Sequence, residues 1–478
     1  MPQSKRGTVL LILLVFISGY ISAQNVNWTL RQCIDSGIVN NLTIRQSVNT
    51  IELNRINLKQ SKNNLLPAIN GSLSEELSVG RMVNPVTDLY ETGTVWSTGA
   101  TVSLSQNLFN GLQYLNVIKQ NELIHKSSKF DLEDAKFNLT ISIVNAYLQV
   151  LYTSEAIKIA RNQVSADSIQ LQTTSDLEYV GKKTESDLLQ IKSQLTSDKY
   201  TLVNATSQWK IAKVNLQQYM NIPVSENFDV DYTASIEPSE KRLENISTIF
   251  SQSLSYQPII KSYALKTQSV DYALKVAKGA YYPQLMLKGN VGTDYSSYAK
   301  QSTTTINNTL ENIGYLQGNP SDIVVGNVPA QTTKVNDYAF GNQFGDNFNG
   351  SLSLGLSIPI LNYLQVRNNV KRQRVNLSNA MLSEELTKVN LRKTIEQVYV
   401  NAETSQAQYI SANEEVEANK AAYEISVVKY KEGKMIASDL IVQKNAYQKA
   451  LSDYLQAKYG LFFNTKILDY YKGVPITF

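Results

Sequence analysis

Soft metal ligands are nearly missing from this 478-residue chain, which holds one histidine, His125, and one cysteine, Cys33. Without sets of imidazoles or thiolates a transition-metal centre has nothing to be built from, so no metal and no other cofactor is expected. A single cysteine forms no internal disulfide, and Cys33 reads as a helix-packing residue. His125 stands among polar residues and reads as part of a solvated helix face. There is no GxSxG, no HExxH and no phosphate-cradling glycine loop. Carboxylate pairs such as Glu384-Glu385 and Glu414-Glu415 fall on helix surfaces, so no enzyme is expected. Charge of one sign is also lacking. The formal balance is +4, or +2 without Lys5 and Arg6, which leaves no electrostatic footprint for nucleic acid.

Long apolar runs are absent beyond the start of the chain, which excludes transmembrane helices there. At the start, Lys5 and Arg6 precede an apolar stretch from Thr8 to Ile17 and then Gly19-Tyr20-Ile21-Ser22-Ala23. The stretch is too short to span ~30 Å of hydrocarbon. It has the form of a secretory signal over residues 1–23, so the mature chain is expected to be exported.

Proline and glycine avoid two stretches, from Leu112 to Tyr179 and from Asn362 to Lys429. In the first, Leu132, Ala135, Leu139, Ile143, Ala146 and Val150 recur at helical spacing. Helices over 110–179 and 362–429 would each be rods on the order of 100 Å. No compact globule buries such a rod, so each needs others alongside. The two rods belong to an internal duplication. One offset of 252 (362 − 110) aligns Asn110 with Asn362, Tyr147 with Tyr399, Gly181-Lys182 with Gly433-Lys434, Ser186-Asp187-Leu188 with Ser438-Asp439-Leu440, and Lys192 with Lys444. Two long copies are not a solenoid of short repeats.

Each copy changes period after a proline. Helical patterning from Trp28 to Asn64, broken near Asn40-Asn41, stops at Pro67. Pro283 is its counterpart at an offset of 216 (283 − 67). Strands are expected at about 68–83, 94–106, 284–295 and 349–358. The clearest alternates Leu352, Leu354, Leu356 and Ile358 with Ser351, Ser353, Gly355 and Ser357. Pro359 then opens the second rod. The second copy carries 36 extra residues (252 − 216), rich in Asn, Thr, Ser and Gly, and 296–348 reads as a long surface loop. Return helices are expected at 187–220 and 439–472. The first repeat is thus 24–223, a linker 224–242 with Pro238 follows, and the second repeat is 243–478, with a helix from Leu243 to Ala280.

Four strands with one apolar and one small polar face cannot close into a barrel alone. In an exported chain that patterning points to the bacterial outer membrane, where only a closed barrel satisfies strand edges. Trp96, Tyr281 and Tyr282 could form an interfacial belt, and Lys288 and Arg81 could face a lumen. Three chains would supply twelve strands. The rival reading is a periplasmic coiled-coil adaptor or scaffold.

Several motifs carry a resemblance over essentially the whole mature chain. Asn107-Leu108-Phe109-Asn110-Gly111 resembles the strand-to-helix signature of the TolC family of outer-membrane efflux and secretion channels. Leu65-Leu66-Pro67 and Tyr281-Tyr282-Pro283 resemble its helix-to-strand junctions. Tyr430-Lys431-Glu432-Gly433 with Ser438-Asp439-Leu440 resembles its helix-tip motif, and Gly181 with Ser186-Asp187-Leu188 is the first-copy version. The resemblance implies a mainly α protein with a membrane β-barrel: a homotrimer whose 12-stranded β-barrel continues into a periplasmic α-helical barrel. It implies an outer-membrane lipid environment, a periplasmic adaptor and, through it, an inner-membrane transporter as partners. The junctions would be Pro67, Asn110, Gly111, Pro283, Pro359 and Asn362. The tips, with Gly181, Lys182, Ser186, Gly433, Lys434, Ser438 and Leu440, would touch the adaptor. Asp439 would line the closed aperture as a carboxylate ring, with Asp187 near it. A second family aspartate is replaced by Val442. Tyr179 or Tyr430 would help hold the mouth shut. Physically, Gly181 and Gly433 permit the positive φ that ends a helix, and Ser186 and Ser438 stand where N-caps would begin the return helices.

Overall fold

The computed structural model describes residues 27–83, 89–233, 236, 243–318 and 321–476. The expected signal at 1–23, residues 84–88 of the first hairpin turn and most of the later part of the linker, with Pro238, lie outside the described residues. The helices are α1 (Leu30–Asn40), α2 (Leu42–Asn63), α3 (Gln113–Tyr179), α4 (Glu185–Met220), α5 (Ile246–Tyr256), α6 (Pro258–Gly279), α7 (Phe340–Asp346), α8 (Gln365–Lys431) and α9 (Ala437–Tyr471). The strands are β1 (Ala68–Val83), β2 (Tyr90–Asn110), β3 (Gln284–Ser296), β4 (Lys300–Tyr315), β5 (Ile323–Asp337) and β6 (Asn349–Ser357). The chain divides into two units. One comprises Met1–Asn57, Asn121–Val270 and Asn376–Phe478, the other Leu58–Gln120 and Asp271–Val375.

The second unit is built on an antiparallel sheet in the order β1-β2-β3-β6. Its register puts Leu73 opposite Ala100, Val102 opposite Val291 and Gly289 opposite Leu352. Paired residues share a face, so one face runs through Ile69, Leu73, Leu77, Trp96, Val102, Leu104, Leu285, Leu287, Leu354 and Leu356. The other carries Ser72, Ser74, Thr101, Ser103, Lys288, Asn290, Ser351 and Ser353, and Ser72 and Thr101 hydroxyls meet there at 2.6 Å. Lys288 is therefore on the polar face. Arg81 shares the parity of the apolar face and stacks over the Tyr90 ring instead. The apolar face is uncovered in one chain, with Leu352 76% exposed and Leu354 and Leu356 each 62%. The outer edges of β1 and β6 have no partner strand among the described residues.

Several boundaries differ from the sequence reading. The second strand is longer than 94–106, so Asn110 ends β2 rather than starting a rod. Gly111 and Leu112 turn the chain at φ 66° and 62° before α3 begins at Gln113. A Cβ on Gly111 would stand 2.1 Å from the Gly279 carbonyl oxygen, so the junction needs glycine for space as well as for φ. In the second copy Pro359 and Asn362 precede an irregular turn with Tyr363 and Leu364 at φ 51° and 58°, and α8 begins only at Gln365. The supposed loop 296–348 is a second hairpin, β4–β5, followed by α7. Its Thr, Val and Ile content suits a pleated surface better than a coil. α7 is anchored where the Gln343 side chain accepts from Ser296 N at 3.0 Å. The helix expected from Leu243 to Ala280 is broken at Gln257, where the backbone turns extended ahead of Pro258.

The duplication is visible in three dimensions. α3 and α8 each have 67 residues. α1 and α5 each have 11, and α2 and α6 each have 22. In the first unit, one cluster packs Cys33, Ile44, Leu139, Ile143 and Leu216 with Tyr147 and Val230. A second packs Ile249, Ile260, Leu391, Ile395 and Leu468, which are the same five repeat positions at the offsets of 216 and 252. Cys33 is fully buried there, and burial pushes its thiol up to about 12. His125 is half-buried rather than solvated, and its Nδ1 is covered without a hydrogen-bond partner.

Ile143→Ala and Ile395→Ala, at equivalent buried sites, should each cost about 2–5 kcal/mol. Because the clusters share no partner, the double variant should lose the sum within about 0.5 kcal/mol. Denaturant unfolding of the detergent-solubilised protein would show a clear excess over the sum if the two clusters were one core.

Candidate functional site: the helix tips

Both long helices end in the same way. Gly181 and Gly433 take φ of 76° and 77°. Lys182 N donates to Leu177 O at 2.8 Å and Lys434 N to Lys429 O at 2.9 Å. These six-to-one bonds satisfy carbonyls that the helix leaves open.

The return helices start differently from each other. Ser186 and Ser438 are not the N-caps. The helices begin at Glu185 and Ala437, so the serines lie inside the first turn and are exposed. The first cap is Thr184, in a reciprocal box: Asp187 N donates to Thr184 Oγ1 at 3.1 Å and Thr184 N to Asp187 Oδ2 at 3.1 Å. The equivalent of Thr184 is Ile436, which has no side-chain acceptor. A different first-turn donor is met from the other copy instead: Ala437 N, the first of α9, donates to Asp187 Oδ1 at 3.1 Å. One carboxylate therefore serves the starts of two helices. Burial would raise the Asp187 carboxyl, but the Thr184 and Ala437 backbone donors outweigh it and hold the group below the usual carboxylate range.

Tyr430 is fully buried, against Ile191, Ala437 and Leu440. Its hydroxyl lies 3.1 Å from Thr174 Oγ1. The Lys183 ammonium sits 3.8 Å from the centre of its ring and donates to Met435 O at 2.7 Å. Burial pushes the Tyr430 phenol up. Tyr179 is 90% exposed and makes none of these contacts. Asp439, in the first turn of α9, is exposed, as are Lys182 and Lys434, the latter 2.7 Å from Glu432. The tip thus buries Tyr430 and Leu440, holds Asp187 half-buried between the two hairpins, and leaves Asp439, Ser186, Ser438, Lys182 and Tyr179 on its surface.

Sequence reasoning missed a buried charge cluster. Lys444 Nζ lies 2.5 Å from both Asp167 Oδ2 and Asp198 Oδ2, and all three side chains are at most 7% exposed. The signal was there: Lys444 aligns with Lys192, but Asp167 aligns with Asn419 and Asp198 with Ala450, so only one copy carries the acids. Gln163, Gln194 and Gln448 donate to the two carboxylates. Burial, only partly offset by Lys444, raises Asp167 to about 6. At Asp198 burial is outweighed by hydrogen bonds from Lys444 and Asp167, and the group is lowered. Two carboxylates share one ammonium, so holding a proton at Asp167 removes the excess charge.

Paired long helices with capped tips, and an amphipathic sheet whose outer edges have no partner strand among the described residues, are the parts of a channel-forming membrane protein built on helical hairpins. The sequence pattern of the family described as outer membrane efflux protein matches residues 33–221 and 249–461, and the chain belongs to that family. An uncharacterized protein of Haemophilus influenzae is 22% identical over 249 residues, 52% of each chain. The outer membrane efflux protein BepC of Brucella suis is 20% identical over 408 residues, 84% of this chain and 77% of that one. Among solved structures, the CusC channel superposes with a TM-score of 0.75 at 13% identity, covering 95% of both chains. The protein is an outer-membrane efflux channel with its helical part in the periplasm, and the adaptor reading is set aside. The family is one of transport ducts rather than enzymes.

Lys444→Met should cost about 3–5 kcal/mol by stranding two buried carboxylates. In the wild type the Asp167 contribution is complete below its ordinary value near 4 and is lost as pH rises through about 6. The Asp198 contribution runs the other way, being lost as pH falls below its ordinary value. Stability from this cluster should therefore peak near pH 4 and fall between about 4 and 6. Melting scans should show the fall from about pH 4 to 6 flattened in Asp167→Asn, and an unaltered slope would refute the assignment.

Proposed function

We propose that three copies of the chain assemble so that their sheets close one twelve-stranded barrel, and that the long helices continue it as a tube across the periplasm. The observation that carries this reading is the sheet β1-β2-β3-β6, apolar on one face and polar on the other, with two unpaired edges. In lipid each unpaired edge group costs several kcal/mol, and a closed ring of strands removes the cost. Energy is supplied elsewhere: a periplasmic adaptor grips the helix tips and links the duct to an inner-membrane transporter.

The duct is shut at the tips in the resting state. Tyr430, Lys183 and Asp187 tie the second hairpin to the first, and opening swings α8 and α9 away once these contacts break. Asp439 is exposed at the start of α9, and three copies form a carboxylate ring that favours cations. Lys182, Lys434 and the serines at 186 and 438 offer the adaptor its polar contacts.

Planar-bilayer recording of the reconstituted channel tests both parts. The double variant Tyr430→Phe with Asp187→Ala should raise single-channel conductance several-fold, and Asp439→Lys should reverse the preference for cations. Wild-type conductance in the first would reject the latch, and unchanged ion preference in the second would reject the ring. Chemical cross-linking should trap three chains, and a monomer stable without detergent would overturn the assembly.

A further inference from the structure

The second unit holds a charge imbalance that the duct reading does not use. In its helical segments, over 58–67, 113–120, 271–283 and 359–375, there are nine lysines and arginines and a single acid, Asp271. The whole chain is almost balanced, with 45 basic and 41 acidic residues. The excess is placed by the duplication. Lys59 and Lys275 are equivalent at the offset of 216, as are Lys62 and Lys278, and Lys119 and Lys371 are equivalent at 252. All six are exposed. Arg367 and Arg374 lie one turn either side of Lys371 on the same helix face.

Their height along the chain is fixed by the strand junctions. Lys62 and Lys278 come five residues before Pro67 and Pro283, and Lys119 and Lys371 stand within two turns of the starts of α3 and α8. Between the lysines and the strands lie exposed apolar and aromatic side chains: Leu66 at 65%, Tyr281 at 52%, Tyr282 at 58% and Tyr363 at 98%. Apolar strand face, aromatic fringe and basic collar therefore follow one another. That is the order in which hydrocarbon, interface and headgroups follow one another in a bilayer. A lumen lining would have no use for the exposed leucine and tyrosines.

Resting on the membrane-barrel reading, we propose that these repeat-paired lysines form a collar that binds the anionic phosphate headgroups of the leaflet facing the periplasm. Each level recurs six times around a trimer, twice per chain. The long lysine stems lie along the apolar fringe and carry their ammonium groups to the phosphates. Lys275 also pairs with Asp271 at 2.9 Å, but that pair is exposed and weak. The partner is thus a lipid of defined charge, beyond a generic hydrocarbon environment.

The test reconstitutes full-length protein into phosphatidylcholine vesicles with a minor fraction of phosphatidylglycerol, and measures by spin-labelled lipids which one borders the protein. Wild type should prefer phosphatidylglycerol by at least about fivefold, the order expected for basic residues near an anionic surface. The preference should fall toward unity in high salt. Replacing the six lysines by glutamine should abolish it while insertion into pure phosphatidylcholine and conductance persist, and six arginines should restore it. Absence of the preference in wild type, or its survival in the glutamine variant, would overturn the collar. So would an unchanged lipid preference with a shifted ion selectivity, which would place the lysines in the lumen. Wild type that inserts into no bilayer at all would instead defeat the barrel reading beneath it.

Discussion

The unpaired edges of one small sheet constrain everything else. Among the described residues β1 and β6 each leave a row of backbone donors and acceptors open, and the sheet's apolar face gives water no reason to stay there. In water such edges invite aggregation. In lipid they demand closure. A four-stranded sheet cannot close on itself, which is why the proposed assembly brings further copies of the chain to its edges. The exposed leucines at 352, 354 and 356 and the Asn/Ser-rich opposite face suit the proposed barrel, which would turn one surface toward lipid and one toward an aqueous lumen.

Duplication supplies the frame, and departures from it supply the contacts between the copies. The two cores repeat at five equivalent positions. The two tips repeat their glycines to within a degree of φ. Around that symmetry the copies diverge at the helix tips and at one buried charge cluster. Thr184 is matched by Ile436, and the first donor of the second return helix is met by Asp187 instead. Lys192 is exposed, whereas Lys444 is buried between two acids that only the first copy carries. Each asymmetric contact joins one copy to the other. That is where a two-state element would have to give way, because contacts confined to one copy would move with it.

The legible part of this architecture was what periodicity and punctuation express. The 3.6-residue spacing of Leu139, Ile143 and Ala146 announces a packed helix. The alternation of Leu352, Leu354 and Leu356 announces a two-faced strand, and a constant offset announces a copy. Capping was legible only to within two residues. Ser186 and Thr184 are both good caps, and the choice between them is made by which backbone donors reach a partner. The hairpin β4–β5 was illegible because its polar Asn and Thr content resembles a loop until pairing reveals the ladder. Tyr430 and Tyr179 looked alike in sequence, yet one is buried and one is bare.

By itself, the sequence determined the duplication, the order of the long helices and the sidedness of the strands in the four-stranded sheet, because these follow from local spacing and residue type. Only the tertiary structure decided which tip residues meet. It brought Asp187 to Ala437, Tyr430 to Thr174, and Lys444 to Asp167 and Asp198 across separations of roughly 250 residues or more. No periodicity encodes such pairings. They arise when helices of fixed length are laid side by side, and their heights then dictate which side chains share a level.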